Sequence, residues 1–289
     1  MSLHTGQTLH DVLHEQPPAD TDLAVITAML YHRIGSDRIQ EGSSSDLGLL
    51  PLHADRLLAA MNALEWRSAA QVTQNGLLHQ LGEAIAEYFD AQLPLHSHSI
   101  ESYKLNIEIQ RDGRIHVRAA PLKNVPEYQY RTIVPDDTPF LWPRSDTVAK
   151  IHVDTRATET SRFVSHKTSE RSFYSDARAR AGVGHALPTD EDVLLYDRHG
   201  QVLETSCSTI YFRRENDIVV PEGGNQGVTR RLALEKLGVR IAVIKLHTLR
   251  EGEEIWLSNA VRGYFPGKIV TPQSKIDQAV AGLDIAPRG

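Results

Sequence analysis

The apolar and polar positions of the chain fall into blocks with distinct periods. Leu23-Ala-Val-Ile-Thr-Ala-Met-Leu-Tyr31 is a nearly continuous apolar run and predicts a buried strand. His53 to Leu64 sets Leu57, Leu58, Met61 and Leu64 on one side of a helix, and Thr73 to Asp90 does the same with Leu77, Leu78, Leu81, Ile85 and Phe89. Tyr103 to Ile109 and Arg114 to Ala119 alternate around Gln110-Arg-Asp-Gly113, the pattern of a β-hairpin. Further on, strands are expected at Val148–Asp154, Asp192–Asp197, Ser208–Arg213, Ile218–Pro221, Arg240–Ile244 and Glu254–Leu257. Helices are expected at about Thr168–Ala181 and at Thr229–Leu237.

The breaks between blocks divide the chain. Residues 1–22 show little periodicity and read as an accessory segment. Gly35 to Asp46 is a polar loop with Gly42-Ser-Ser-Ser-Asp46 at its tip. Prolines 121, 126, 135, 139 and 143 interrupt any period, so residues 123–146 read as a connection. A smaller N-terminal domain, 1–122, and a larger C-terminal domain, 147–289, follow from these breaks. Strands and helices mix without strict βαβ alternation, which predicts an α+β or mixed α/β fold rather than a doubly wound sheet.

Composition narrows the function classes. A chain of 289 residues with 40% apolar and 24% charged residues is that of a globular protein, and its net charge of −6 argues against a nucleic-acid binder. Cys207 is the single cysteine, so there is no internal disulfide and no thiolate zinc cluster. No apolar run approaches the roughly 20 residues of a membrane helix, and the N-terminus lacks the pattern of a secretory signal. The expectation is a cytoplasmic protein without membrane or nucleic-acid partners. His96-Ser-His98 falls in a loop-like stretch and H-E-x-x-H is absent, so no metal site is expected.

Several positions carry chemistry. Gly223-Gly-Asn-Gln-Gly227-Val-Thr229 is a flexible turn opening a helix, a junction whose free N–H groups suit an anion, although such a turn is often only a turn. Lys167 is one of eight lysines beside 23 arginines and has no acidic residue immediately next to it. Glu204 lies between a turn and an apolar strand, Leu257-Ser-Asn-Ala-Val261 ends a strand in small polar residues, and Arg56 lies on the first helix. Taken singly, each is also explained as an ordinary surface or turn residue.

Their order is more specific. His53-x-x-Arg56, Lys167, Glu204 placed 37 residues on, Gly227-Val-Thr-Arg230 and Ser258-Asn-Ala260 resemble the fold-type IV pyridoxal-phosphate enzymes over roughly residues 23–270. His166-Lys-Thr-Ser-Glu-Arg-Ser-Phe-Tyr-Ser-Asp-Ala-Arg178 and Leu257-Ser-Asn-Ala-Val-Arg-Gly263 are most similar to the fungal-type 4-amino-4-deoxychorismate lyases within that family. Two departures, the absence of a Gly-Asp-Gly lead into the first strand and Thr209 in place of an asparagine, weigh against an aminotransferase more than against the cofactor.

The resemblance implies a two-domain architecture of the D-amino acid aminotransferase type, with the cofactor cleft between the domains, and a homodimer. It implies pyridoxal 5'-phosphate as cofactor. Lys167 would be its Schiff-base lysine and the catalytic base, and Glu204 the partner of the ring nitrogen. Arg56, Val228, Thr229, Ser258 and Asn259, with Gly227, would hold the phosphate. Tyr174, seven residues beyond Lys167 on the expected helix, would lie on the same face and reach the cofactor's phenolic oxygen. Thr27 and Arg171 are candidate substrate contacts, and Arg33, Arg230 and Arg262 further candidates for a substrate carboxylate. The implied reaction converts 4-amino-4-deoxychorismate to 4-aminobenzoate and pyruvate, a step in folate precursor synthesis. An aminotransferase acting on a branched-chain, D- or other amino acid is the alternative. A non-catalytic ligand-binding relative is a second.

Overall fold

The computed structural model describes residues 23–34, 49–66, 72–92, 100–122, 140, 148–159 and 165–283. The accessory segment 1–22, the polar loop at 35–46, His96–His98, nearly all of the Pro-rich connection and the side chain of Arg33 lie outside the described residues. The chain divides into two compact units. One comprises Met1–Tyr130 with His166–Glu170, the other Arg131–Ser165 with Arg171–Gly289.

In the first unit the apolar run forms β1 (Ala24–Ile34), and α1 (Leu50–Ala63), α2 (Gln74–Gln92), β2 (Ile100–Gln110) and β3 (Ile115–Leu122) follow. Helix α1 begins three residues before the expected start because Pro51 sits in its first turn, where a missing N–H costs nothing. The three strands form an antiparallel sheet in the order β1-β2-β3, with Thr27 opposite Ile107 and Ile109 opposite Ile115. Gly113 takes φ +90° in the hairpin turn. Helix α1 packs on β1 and α2, and α2 on β3. The expected apolar faces are buried, including Leu57, Met61, Leu77, Leu81 and Ile85. Phe89 of α2 stacks on Tyr31 of β1 with ring centroids 5.0 Å apart.

The second unit holds β4 (Ala149–Val153), α3 (Ser172–Arg180), β5 (Glu191–Tyr196), β6 (Val202–Thr205), β7 (Thr209–Arg214), β8 (Asp217–Pro221), α4 (Val228–Lys236), β9 (Arg240–Ala242), β10 (Glu254–Asn259), β11 (Gly263–Ile269) and α5 (Gln273–Ala281). Eight strands form one sheet in the order β6-β5-β4-β11-β10-β7-β8-β9. The pairs β4·β5, β4·β11 and β8·β9 are parallel and the others antiparallel, so the fold is mixed, as expected. Ile151, Leu194, Ile210, Phe212, Leu257 and Ile269 belong to its principal core.

Three elements escaped the sequence reading: β6, β11 and α5. Strand β11 carries Pro266 and Gly267, which read as breakers. Pairing with β4 begins only at Gly267, so the missing N–H of Pro266 removes nothing from that ladder. A Cβ at Gly267 would stand 3.0 Å from Leu257 Cδ1, so the glycine permits a close approach of β10. The helix expected from Thr168 starts only at Ser172. Residues 167–169 instead pair with β1. Ile26 N–H donates to the Lys167 carbonyl (2.9 Å) and Ser169 N–H to the Ala24 carbonyl (2.8 Å). Backbone groups committed to a neighbouring strand cannot also close helical turns.

Candidate functional site

The first unit gathers four of the relevant side chains. The ladder between β1 and residues 167–169 fixes the backbone of Lys167 beside Ile26, and Val25 and Thr168 form a bridge. Ser169 Oγ adds to the seam by accepting the Ala24 N–H at 2.9 Å. Alternation along β1 turns Thr27 inward, where it is buried. His53 and Arg56 are three residues apart on α1 and so share a face. Arg56 Nη2 donates to Thr27 Oγ1, and Thr27 Oγ1 lies 2.6 Å from His53 Nδ1. Burial lowers the Arg56 pKa to about 10, which leaves a cation at neutral pH. Burial, followed by the charges of Arg56 and Lys167, holds His53 well below its ordinary value, so its imidazole is neutral. Arg56 Nε and His53 Nε2 are buried with no hydrogen-bond partner among the described residues.

The second unit gathers the carboxylate and the helix start. Glu204 is buried on β6, and Tyr174 Oη donates to its Oε1 at 2.5 Å. Burial first, then the charge of Glu204, pushes the Tyr174 pKa well above the phenolic range, so Tyr174 is a fixed donor. Its hydroxyl is committed to Glu204, and Lys167 is not on α3, so the expected shared helix face with Lys167 does not exist. Arg171 lies 4.3 Å over the Tyr174 ring and donates from Nη2 to the Ser206 carbonyl at 2.8 Å.

The loop after Glu204 is tied down by charges that the sequence reading missed. Fully buried Asp192 accepts from Arg178 Nη1 (3.0 Å), from Ser206 Oγ and from the Cys207 N–H (3.3 Å). Arg178 also donates from Nη2 to the Val183 carbonyl at 2.7 Å. The available signal was an aspartate directly ahead of the apolar run Val193-Leu-Leu-Tyr196 of its strand. On the other side Gly224, at φ +83°, presses the Gly-rich loop onto β6. A Cβ there would meet the Leu203 carbonyl oxygen at 2.7 Å.

Gly227 is the N-cap of α4 and no side chain caps it. The first N–H groups of the helix, Val228 and Thr229 among them, have no intrahelical acceptor and suit an anion. Thr229 is buried. Its Oγ1 accepts from Ser258 Oγ at 2.8 Å, Ser258 Oγ lies 2.8 Å from Tyr211 Oη, and Tyr264 Oη donates to the Thr229 carbonyl at 2.8 Å. Ser258 therefore acts on the helix start through Thr229. Asn259 Nδ2 donates to Ser208 Oγ (3.2 Å) and its Oδ1 accepts the Arg262 N–H (2.8 Å), which closes the turn after β10. Arg230 is buried and clasps the Gly-rich loop through Gln226 Oε1 (2.6 Å) and the Pro221 carbonyl (3.1 Å). Arg262 donates to the Thr189 carbonyl at 2.9 Å and lies over Phe265.

The structure thus brings Thr27, Arg56 and Lys167 together in one unit. In the other, Arg171, Tyr174 and Glu204 form one group, and Gly227, Val228, Thr229 and Ser258 a second. Among the described residues no cluster of three or more His, Cys, Asp or Glu could hold a metal ion. No described helix is long and apolar enough to cross a membrane.

Known proteins share this arrangement of elements. A family model described as amino-transferase class IV matches residues 43–270. A Schizosaccharomyces pombe protein provisionally described as an aminodeoxychorismate lyase is 22% identical over 237 residues, 80% of this chain and 87% of that protein. A structure from Mesorhizobium loti, provisionally described as an amino-acid aminotransferase, has a TM-score of 0.59 at 19% identity, covering 86% of this chain and 100% of that one. A structure from Thermotoga maritima, provisionally described as a branched-chain amino acid aminotransferase, has a TM-score of 0.56 at 16% identity, covering 91% of this chain and 85% of that one. At these identities the solved structures show a common fold.

Proposed function

The chain belongs to the class IV aminotransferase family, and from that premise we propose that it is a pyridoxal-phosphate lyase that converts 4-amino-4-deoxychorismate to 4-aminobenzoate and pyruvate. Membership makes it a pyridoxal-phosphate enzyme acting on a small amine, by lyase or aminotransferase chemistry. The observation that carries the lyase reading is the match to the Schizosaccharomyces pombe relative along most of both chains.

The residues present fit the cofactor. A phosphate dianion calls for cationic and N–H donors. Among the described residues, Arg56 has a buried Nε without a partner, and α4 opens on a glycine with no capping side chain. Arg56, the N–H groups of Val228 and Thr229, and the Thr229 hydroxyl would hold the phosphate. Glu204 would hold the ring nitrogen, and Lys167 the aldehyde. When bound, pyridoxal phosphate supplies an electron-poor ring that accepts the electron pair released at the substrate's α-carbon.

The chain's own residues do the rest. Glu204 would set its carboxylate against the ring nitrogen, which favours the protonated nitrogen, and Tyr174 fixes that carboxylate by donating to Oε1. Lys167, as a free amine, would take the proton from the substrate's α-carbon. Loss of the enolpyruvyl group then leaves an aromatic ring, which makes the elimination strongly downhill. Arg171, beside Tyr174 and Ser206, is the candidate for a substrate carboxylate. Thr27, held by Arg56 and His53, is a weaker candidate for a substrate contact.

The test is release of 4-aminobenzoate from aminodeoxychorismate, made from chorismate and glutamine by a synthase. Product at an enzymatic rate, absent with Lys167→Ala, is the expected result. No product from protein that visibly carries the cofactor would overturn the lyase reading. The second reading, which the family description favours, would then be tested with amino donors and keto acids.

A further inference from the structure

The buried imidazole of His53 meets neither cofactor nor substrate in the function proposed above. It is wholly enclosed, and among the described residues only one of its nitrogens has a partner. A buried polar atom left unpaired costs about 1–3 kcal/mol, and an apolar side chain of similar size would fill the space without that cost. The imidazole therefore calls for an explanation beyond packing.

Proton accounting supplies one. Arg56 can only donate, so Thr27 Oγ1 accepts from it. Thr27 has one proton of its own, and His53 Nδ1 stands 2.6 Å away as an acceptor. Assigned in this way, the two links Arg56→Thr27→His53 run in one direction, and the His53 proton sits on Nε2, the one group of the imidazole without a partner among the described residues. The opposite tautomer would load two donors onto Thr27 and leave its own proton without an acceptor among the described residues. A chain with a cation at its head is strengthened by polarisation along its length.

We propose that His53 is a positioning residue for Arg56: by accepting the proton of Thr27 it fixes Thr27 Oγ1 as the acceptor that sets the direction of the Arg56 guanidinium. The proposal rests on the reading that Arg56 carries the cofactor's phosphate. A guanidinium anchored at Nη2 points its remaining N–H groups one way, whereas one anchored to a freely rotating hydroxyl does not. Burial first, and then the charges of Arg56 and Lys167, keep the imidazole the neutral acceptor that this chain of bonds requires.

The experiment compares two probes, pyridoxal phosphate and pyridoxal, titrated into the cofactor-stripped full-length chain. Only the first has the phosphate that Arg56 would meet. His53→Leu is expected to weaken pyridoxal phosphate about tenfold and to leave pyridoxal within about twofold, the loss expected for one oriented bond to a charged group. His53→Asn, which can place an amide oxygen near the Nδ1 position, should recover most of the loss. In an Arg56→Ala background His53→Leu should have no further effect, because a positioning residue acts through its client. Equal losses for both probes, or additive losses in the double variant, would overturn the role of His53. If His53→Leu does not fold, Thr27→Val decides, with the same phosphate-selective loss expected. If Arg56→Ala itself weakens both probes equally, the phosphate reading of Arg56 fails. If it is selective and His53→Leu is not, only the present proposal fails.

Discussion

His53 is buried and His32 half-buried, both as neutral imidazoles, and both make stability depend on pH. Burial lowers His32 to about 4, and His53 lies well below its ordinary value. In the unfolded chain both return to about 6.5. Below that pH the unfolded state binds protons that the native state refuses, so stability falls as pH falls from about 6.5 toward the folded values. His53→Leu should flatten the dependence of unfolding free energy on pH between 6 and 5 by up to about 1.4 kcal/mol per unit, one proton's worth. Urea titrations at several pH values give that slope, and an unchanged slope would mean that His53 is not held neutral. Glu204 admits a separate expectation. Glu204→Gln keeps an acceptor for Tyr174 and removes the charge, so cofactor should still bind while turnover falls at least about a hundredfold. Full turnover in the variant would contradict the role proposed for Glu204.

At the scale of elements the chain stabilises its site through loops pressed against strands. Gly224 has φ +83° and no room for a Cβ beside the Leu203 carbonyl. Gly224→Ala should therefore cost about 2–4 kcal/mol, combining backbone strain with displacement of β6. Differential scanning calorimetry measures the loss, and a shift in melting temperature too small to resolve would show that the loop moves freely from β6. The same elements show what the sequence made legible. Regular periods gave α1, α2 and the β2–β3 hairpin within a few residues, because each of these elements buries one face more deeply than the other, and a continuous apolar run gave β1, which has no exposed face among its described residues. Strand β6 has only four residues, all buried, too few to display a period. Strand β11 was hidden by a proline and a glycine whose reasons are tertiary. The helix drawn from Thr168 came from a pattern that continues upstream of Ser172, where pairing with β1 overrides it.

For the whole molecule, the candidate site residues were legible through their order along the chain, while their partners were not. His53 as an acceptor, Asp192 with Arg178, and Tyr211 behind Ser258 are buried polar groups whose value depends on neighbours remote in sequence. The division of the chain has the same character. The first unit does not end with the β2–β3 hairpin. It also claims His166–Glu170, a segment reached only after the chain has entered the second unit. That segment covers the edge of β1 opposite β2, with Ile26 donating to Lys167 and Ser169 to Ala24. A fragment ending at residue 130 would leave this edge bare, with apolar Val25 and Met29 behind it. Such a fragment should aggregate or unfold more readily than the full chain, even though it keeps all three strands of the sheet. Hydrogen exchange sharpens the expectation. The Ile26 amide should be protected in the full chain and exchange quickly in any soluble fragment, while the amides of β2 that bond to β3 slow down in both. Equal protection of Ile26 in the two would mean that β1 does not need the lysine-bearing segment. The expected result makes that segment a structural part of the first unit, so that folding of the small sheet and placement of Lys167 are one event.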